Sequence, residues 1–210
     1  ASLTACGGGN ASGNETGDSA PAASTAKLRF VTGGESGTYY AFGGVLASFV
    51  SGKSDCKVTA LTSGGSQANV EDLTNGNVQI AFVQSDVMNY AYNGQRLFDS
   101  PVTGFSVVAQ LYQEQVQIVT TNPDIKTVAD LAGKKVSIGA AGSGVYFNAI
   151  DVLSAYDLKE SDISAVYQSF GDSAESLKDG KIDAAFIVAG APTTAITDLS
   201  TTKTAYLVSM

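Results

Sequence analysis

Two stretches decide the fold: Phe30-Val31-Thr32-Gly33-Gly34-Glu35-Ser36-Gly37-Thr38-Tyr39-Tyr40, and Val136-Ser137-Ile138-Gly139-Ala140-Ala141-Gly142-Ser143-Gly144-Val145-Tyr146-Phe147. Each is a short apolar run, then a glycine-rich turn, then an aromatic pair opening a helical pattern. That is how a strand hands over to a helix in an α/β protein. The likeness continues downstream. Glu71-x-Leu73-x-x-Gly76 followed by Ala81-Phe82 matches Glu175-x-Leu177-x-x-Gly180 followed by Ala185-Phe186. Ser36 and Ser143 lie 107 positions apart, Glu71 and Glu175 104, so one strand–turn–helix–strand–helix–strand unit occurs twice. That period is too long for a solenoid and predicts two similar lobes facing each other.

Outward from these stretches the alternation holds. Strands are expected at Leu28–Val31, Lys57–Leu61, Gln79–Val83, Val107–Leu111, Val116–Thr121, Lys135–Ile138, Ala165–Gln168 and Ala184–Val188, with a last one at Tyr206–Val208. Helical patterns fall at Thr38–Val50, Gln67–Asn75, Asp86–Tyr92, Tyr146–Tyr156, Ala174–Lys178 and Ala191–Leu199. Such a succession predicts mostly parallel sheets with helices on both faces. The expected organisation is residues 1–26 as a tether, 27–114 as lobe 1 and 115–210 as lobe 2.

Ligands of open α/β sheets bind at the C-terminal ends of strands, where helix N-termini present free N–H groups and a favourable dipole to anions. Six such turns are expected: Gly33–Thr38, Ser63–Ser66 and Gln84-Ser85 in the first unit, and Ala140–Val145, Gly171-Asp172-Ser173 and Ala189-Gly190-Ala191-Pro192 in the second. Two facing sets of donor-rich turns can hold both ends of a small anionic metabolite without arginine. Glu35 is an acid inside one of these turns. It either stands in solvent beside the helix or meets a ligand ammonium. Neither glycine-rich turn has the G-x-G-x-x-G spacing of a dinucleotide site or the Lys-Ser/Thr of a P-loop.

Composition excludes whole classes. The 210 residues include no histidine, which removes Ser-His-Asp and Cys-His nucleophiles and the usual catalytic zinc sites. Net charge is −8 and the basic residues are not clustered, so the footprint of a nucleic-acid binder is missing. No catalytic residue, metal or cofactor is assigned, and the chain is read as a binding protein rather than an enzyme. An adhesive surface lipoprotein would not need two matched sets of glycine turns.

The N-terminal residues are Gly-, Ala-, Ser-, Thr- and Asn-rich, a composition expected to stay disordered. Within them Leu3-Thr4-Ala5-Cys6-Gly7 resembles a bacterial lipobox. That resemblance implies a lipid on Cys6, a flexible tether behind it, and an extracytoplasmic location in the periplasm or on the outer face of the cell membrane. A lipidated Cys6 could not pair with Cys56, which is read as a small filler beside a strand.

Six motifs taken in order resemble the TAXI-type solute-binding proteins of TRAP (tripartite ATP-independent periplasmic) transporters. They are Thr32-Gly33-Gly34-x-x-Gly37-Thr38-Tyr39-Tyr40, Thr62-Ser63-Gly64-Gly65-Ser66, Ala81-Phe82-Val83-Gln84-x-Asp86, Leu111-Tyr112-x-Glu114, Gly139-x-x-Gly142-Ser143-Gly144 and Val188-Ala189-Gly190-Ala191-Pro192. The resemblance implies a type II periplasmic-binding-protein fold, whose lobes close on a ligand of the glutamate, glutamine or 2-oxoglutarate kind. It also implies membrane subunits driven by an ion gradient, and a receptor that is a monomer. Carried over motif by motif, the ligand contacts are Gly34, Tyr39, Ser63, Gln84, Ser143, Gly144, Val145, Ala189 and Gly190, with Glu35 added from the residues themselves. Gln113 stands where the family often has proline, and Glu35 where it often has a small residue. Family members also continue beyond the position of Met210, so further strands and helices are expected for both lobes. A receptor of an ABC-type importer, or a ligand sensor, fits the repeat and the tether equally well.

Overall fold

The computed structural model describes residues 25–210. Cys6 and the lipobox residues lie outside the described residues. Two sheets organise the rest. The first holds β1 (Lys27–Val31), β2 (Lys57–Leu61) and β3 (Ile80–Ala81), interleaved with α1 (Thr38–Lys53), α2 (Ser66–Thr74) and, after β3, α3 (Ser85–Asn93). Its order is β2-β1-β3 and every pair is parallel. The second holds β4 (Gln115–Thr120), β5 (Lys135–Ser137), β6 (Ser164–Val166), β7 (Ala184–Ala189) and β8 (Tyr206–Leu207), with α4 (Val145–Ala155), α5 (Phe170–Lys178) and α6 (Thr194–Ser200).

The order of the second sheet is β6-β5-β7-β4-β8. Its β6-β5-β7 part repeats β2-β1-β3, which is the internal repeat read from the sequence, now seen as one topology used twice. The expectation of mostly parallel sheets holds for that part. β4 is antiparallel to β7 and β8 antiparallel to β4, so the second sheet is mixed. Matched polar staples sit inside both units. Asn69, on α2, donates from Nδ2 to the carbonyls of Thr32 and Phe82, 2.7 Å each. Ser173, at the corresponding position on α5, shares a 2.8 Å hydroxyl–hydroxyl hydrogen bond with Ser137 of β5. Both residues are fully buried, where an unpaired polar group costs about 1–3 kcal/mol; the Asn69 amide nitrogen is paired twice, while its Oδ1 has no partner.

All six residues of β7, Ala-Ala-Phe-Ile-Val-Ala, are buried. Their alternation explains why. Ala184, Phe186 and Val188 enter the core under α4 with Ile118, Ile138 and Leu153, while Ala185 and Ile187 enter the core under α5 and α6 with Leu177 and Leu199. A strand covered on both faces reads as a continuous apolar run for this reason. The first sheet is thinner. Its core is Phe30, Ala47 and Phe82, with Tyr39, Leu46, Val58, Ala60 and Ile80 half-buried around them. α1 lies close against β1 because Gly43 has no side chain; a Cβ there would stand 2.5 Å from Thr32 Cγ2.

Between α3 and β4 the backbone passes from the first sheet to the second once among the described residues. α3 ends at Gly94 in the left-handed conformation (φ 60°) that glycine adopts freely. Val107–Leu111, expected as a strand, belongs to neither sheet; Val108 is 93% exposed. An apolar run reads as a strand locally, but a strand needs a neighbour, and none of the described residues pairs with it.

Candidate functional site

The two units face each other and touch. Phe147, in the first turns of α4, is 1% exposed because it inserts among Val70, Val87, Ala91 and Phe98 of the first unit and the following segment. Beside it, Gln84 Nε2 donates to Asn148 Oδ1 (2.9 Å), and Asn148 Nδ2 donates to Asp86 Oδ2 (2.8 Å). Arg96 forms an ion pair with Asp151 and lies over the ring of Tyr90 at 5.0 Å. On the other side of the cleft, Thr38 Oγ1 donates to the Gly190 carbonyl (3.2 Å).

Glycine lets the backbones meet along this seam. The Ala68 N–H donates to the Gly142 carbonyl across it (3.0 Å). A Cβ at Gly64 would stand 2.6 Å from the Ala141 carbonyl oxygen, and one at Gly65 would stand 3.0 Å from Ser143 Cα. At Gly144 a Cβ would overlap Gln84 Oε1, at 1.4 Å. The glycines read as turn formers therefore also permit close approach.

The seam borders a cavity of about 80 Å³. The first unit lines it with Gly34, Gly37, Thr38 and Tyr39, with Ser63 to Ser66, and with Gln84. The second contributes Ala140, Ser143, Gly144, Val145, Val188 and Ala189. Eight of the ten expected contacts are thus brought together: Gly34, Tyr39, Ser63, Gln84, Ser143, Gly144, Val145 and Ala189. Gly190 lines a shallower hollow with Tyr112, Gln113 and Pro192 instead. Glu35 is exposed at the tip of its turn and does not line the cavity, which favours the solvent reading of this residue. The turn expected at Gly171-Asp172-Ser173 is displaced. α5 begins at Phe170, capped by Ser169, whose hydroxyl accepts from the Asp172 N–H (3.1 Å), so Ser169 and Phe170 line the cavity in its place.

Three helices begin at the cavity without a capping side chain: α1 after Gly37, α2 after Gly65 and α4 after Gly144. Their first-turn N–H groups have no side-chain partner; the Ala68 N–H is taken by the Gly142 carbonyl, and those without a backbone partner form a concave array of donors suited to a carboxylate. Ser143, 6% exposed, adds a buried hydroxyl without a hydrogen-bond partner. Among the described residues no lysine or arginine lines the cavity.

One lining residue that carries a carboxyl group was absent from the expected contacts. Glu114, just before β4, accepts from the Tyr39 hydroxyl (3.3 Å). Burial pushes its carboxyl up to about 7, Asp86 adds to the rise, and the Tyr39 hydrogen bond opposes it. Tyr39, stacked on Phe82 at 5.0 Å, and Tyr112 are both raised well above the usual phenol range, again first by burial. Among the described residues no group of three or more His, Cys, Asp or Glu is placed to hold a metal ion, and no helix is long and apolar enough to cross a membrane.

The same architecture occurs in solved structures of low sequence identity. The alkanesulfonate-binding protein SsuA from Xanthomonas axonopodis pv. citri, bound to MOPS, superposes with a TM-score of 0.57 at 21% identity, over 90% of this chain and 62% of that one. An ancestral arginine-binding protein bound to glutamine gives 0.60 at 18% identity, over 88% and 78%. The ligand-binding component of an ABC-type import system from Staphylococcus aureus, with zinc bound, gives 0.60 at 12% identity, over 88% and 60%. This chain therefore spans just under two thirds of the length of the sulfonate-binding protein and of the import-system component. These likenesses establish the periplasmic-binding-protein fold. Over residues 30–210 the sequence itself matches a described family, so the chain belongs to the NMT1-like family.

Proposed function

We propose that this chain is the extracytoplasmic receptor of a solute importer: it closes on a small carboxylate, hands it to membrane subunits, and catalyses nothing. The observation that carries this reading is the cavity between the two units, lined by three uncapped helix N-termini and sealed by a glycine seam. Donors fixed in this way bind an anion without reorganising. Gly34, Tyr39, Ser63, Gln84, Ser143, Gly144, Val145 and Ala189 make the contacts, on a ligand of the glutamate, glutamine or 2-oxoglutarate kind. Residues 27–114 and 115–210 act as the two lobes. The ligand docks on one lobe, and contacts made only in the closed state stabilise closure. Lipid on Cys6 would hold the receptor at the membrane by the tether 1–26.

We assign the membrane partner to the TRAP class on the six sequence motifs. An ABC-type partner is the second reading, favoured by the likeness to a component of such an import system. Uptake into vesicles distinguishes the two: a TRAP partner needs an ion gradient, an ABC partner needs ATP.

A thermal-shift series with glutamate, glutamine, 2-oxoglutarate, succinate and a neutral sugar tests the receptor reading. A ligand at a hundredfold its Kd adds about 2.7 kcal/mol to the native state, a clear rise in Tm. A rise with one acid and none with the sugar is expected. No rise with any acid would remove the carboxylate assignment. An unchanged scattering radius with and without saturating ligand would remove closure.

A further inference from the structure

We propose that Glu114 receives a protonated amino group of the ligand, so that the site selects an amino-bearing carboxylate over the matching amine-free acid. The inference rests on the receptor reading above and names the substrate class within it.

The cavity is contradictory if its ligand is a plain dianion. Its uncapped helix ends favour negative charge, yet its wall includes a carboxyl group. A carboxylate taken out of water needs a counter-charge or a set of hydrogen bonds. Glu114 has one hydrogen bond, from Tyr39 of α1, and that hydroxyl is itself half-buried. The other groups near it supply no positive charge. Asp86, at the start of α3, adds negative charge; the Tyr112 hydroxyl, two residues back, is neutral and without a partner; the Gln84 amide favours the carboxylate, but less than burial disfavours it, and it also donates to Asn148. Among the described residues no lysine or arginine lines the cavity to neutralise it.

The missing cation can come from the ligand. An ammonium placed at Glu114 supplies the counter-charge where surrounding burial makes it most effective, while the ligand's carboxylate takes the helix-end donors. An amine-free acid offers nothing to Glu114, and a second carboxylate there would meet like charge or require Glu114 to be protonated. Burial already holds the carboxyl at about 7. Binding an ammonium below that pH must first release a proton, so affinity for the amino-bearing ligand weakens as pH falls. Asp86, Tyr39 and Tyr112 are the titratable groups facing Glu114. The two phenols stay neutral throughout this range because burial raises both.

Isothermal titration of the full-length protein with L-glutamate, L-glutamine, 2-oxoglutarate and glutarate tests this, since glutamate, 2-oxoglutarate and glutarate share one five-carbon diacid skeleton. The expected result is at least tenfold tighter binding of an amino-bearing member than of both amine-free acids at pH 8. Glu114→Gln, which keeps an acceptor for Tyr39, weakens the amino-bearing ligand at least tenfold and leaves glutarate unchanged or tighter. In the wild type, affinity for the amino-bearing ligand falls about tenfold from pH 8 to pH 6, and in Glu114→Gln this dependence is lost. Amine-free acids binding as tightly as glutamate and glutamine would overturn the inference and keep the receptor reading. So would Glu114→Gln binding glutamate with undiminished affinity while its circular dichroism is native. Binding of none of the four would overturn the carboxylate receptor reading and the inference together.

Discussion

The two units share a topology and differ in how well they are filled. In the second, β7 is buried along its whole length between two cores. In the first, the corresponding β3 is two residues long, and α1 leaves Phe42, Val45 and Phe49 exposed on its outer face. A repeated βαβαβ unit thus fixes where the cavity-facing turns go but not how much core stands behind them. The added strand β4, paired with β7 along six residues, makes the second unit the stable platform. The first holds its strand ends together by polar staples such as Asn69 more than by apolar depth.

The largest expected effect tests this contrast directly. Phe186→Ala, at a fully buried site on β7, costs about 3–5 kcal/mol. Val58→Ala, half-buried on β2, costs about 1 kcal/mol. Denaturant unfolding of both variants checks it, and equal losses would break the comparison.

Phe147→Ala belongs to neither unit alone. It removes a ring of the second unit from a pocket in the first, with a cost of about 3 kcal/mol charged to the closed arrangement. The expected result is a larger scattering radius with the circular dichroism of both units retained. Gly144→Ala should act more locally. Its Cβ displaces Gln84, so ligand affinity drops about tenfold, about 1.4 kcal/mol, as titration calorimetry would read it, while the melting transition stays cooperative.

pH separates the site from the cores. The folded carboxyl of Glu114 sits near 7 against an ordinary 4.5, so the folded state holds its proton more firmly than the unfolded one. The contribution is neutral below pH 4.5, and stability falls as pH rises from there through 7, by on the order of 3 kcal/mol. Glu114→Gln should flatten that slope in melts recorded from pH 4.5 to 8. The smallest effect is expected at the rim. Arg96→Ala removes an exposed ion pair between the units and costs about 0.2–1 kcal/mol, less at high salt.

Much of this could be read before any coordinates. The repeat and the strand-to-helix turns follow from local patterns, because glycine turns and apolar periodicity are local properties; eight of the ten expected contacts, nine of them carried over from the family motifs, line the cavity. What escaped depends on pairing across the fold. Val107–Leu111 has a strand's composition but no strand beside it among the described residues. The antiparallel direction of β4 is set by β7, almost seventy positions later. Glu35 and Glu114 show the same limit at the site. The acid inside the glycine turn looked closer to the ligand, yet that turn's tip faces solvent, while the acid in the polar run Gln113-Glu114-Gln115 is folded against Tyr39. The Leu111-Tyr112-x-Glu114 motif was the available clue.

The glycine seam has a mechanical consequence. Surfaces keyed by bare backbone at Gly64, Gly65, Gly142 and Gly144 fit like the wards of a lock and tolerate almost no misregistration. Each time the halves part, that registration is lost and has to be found again.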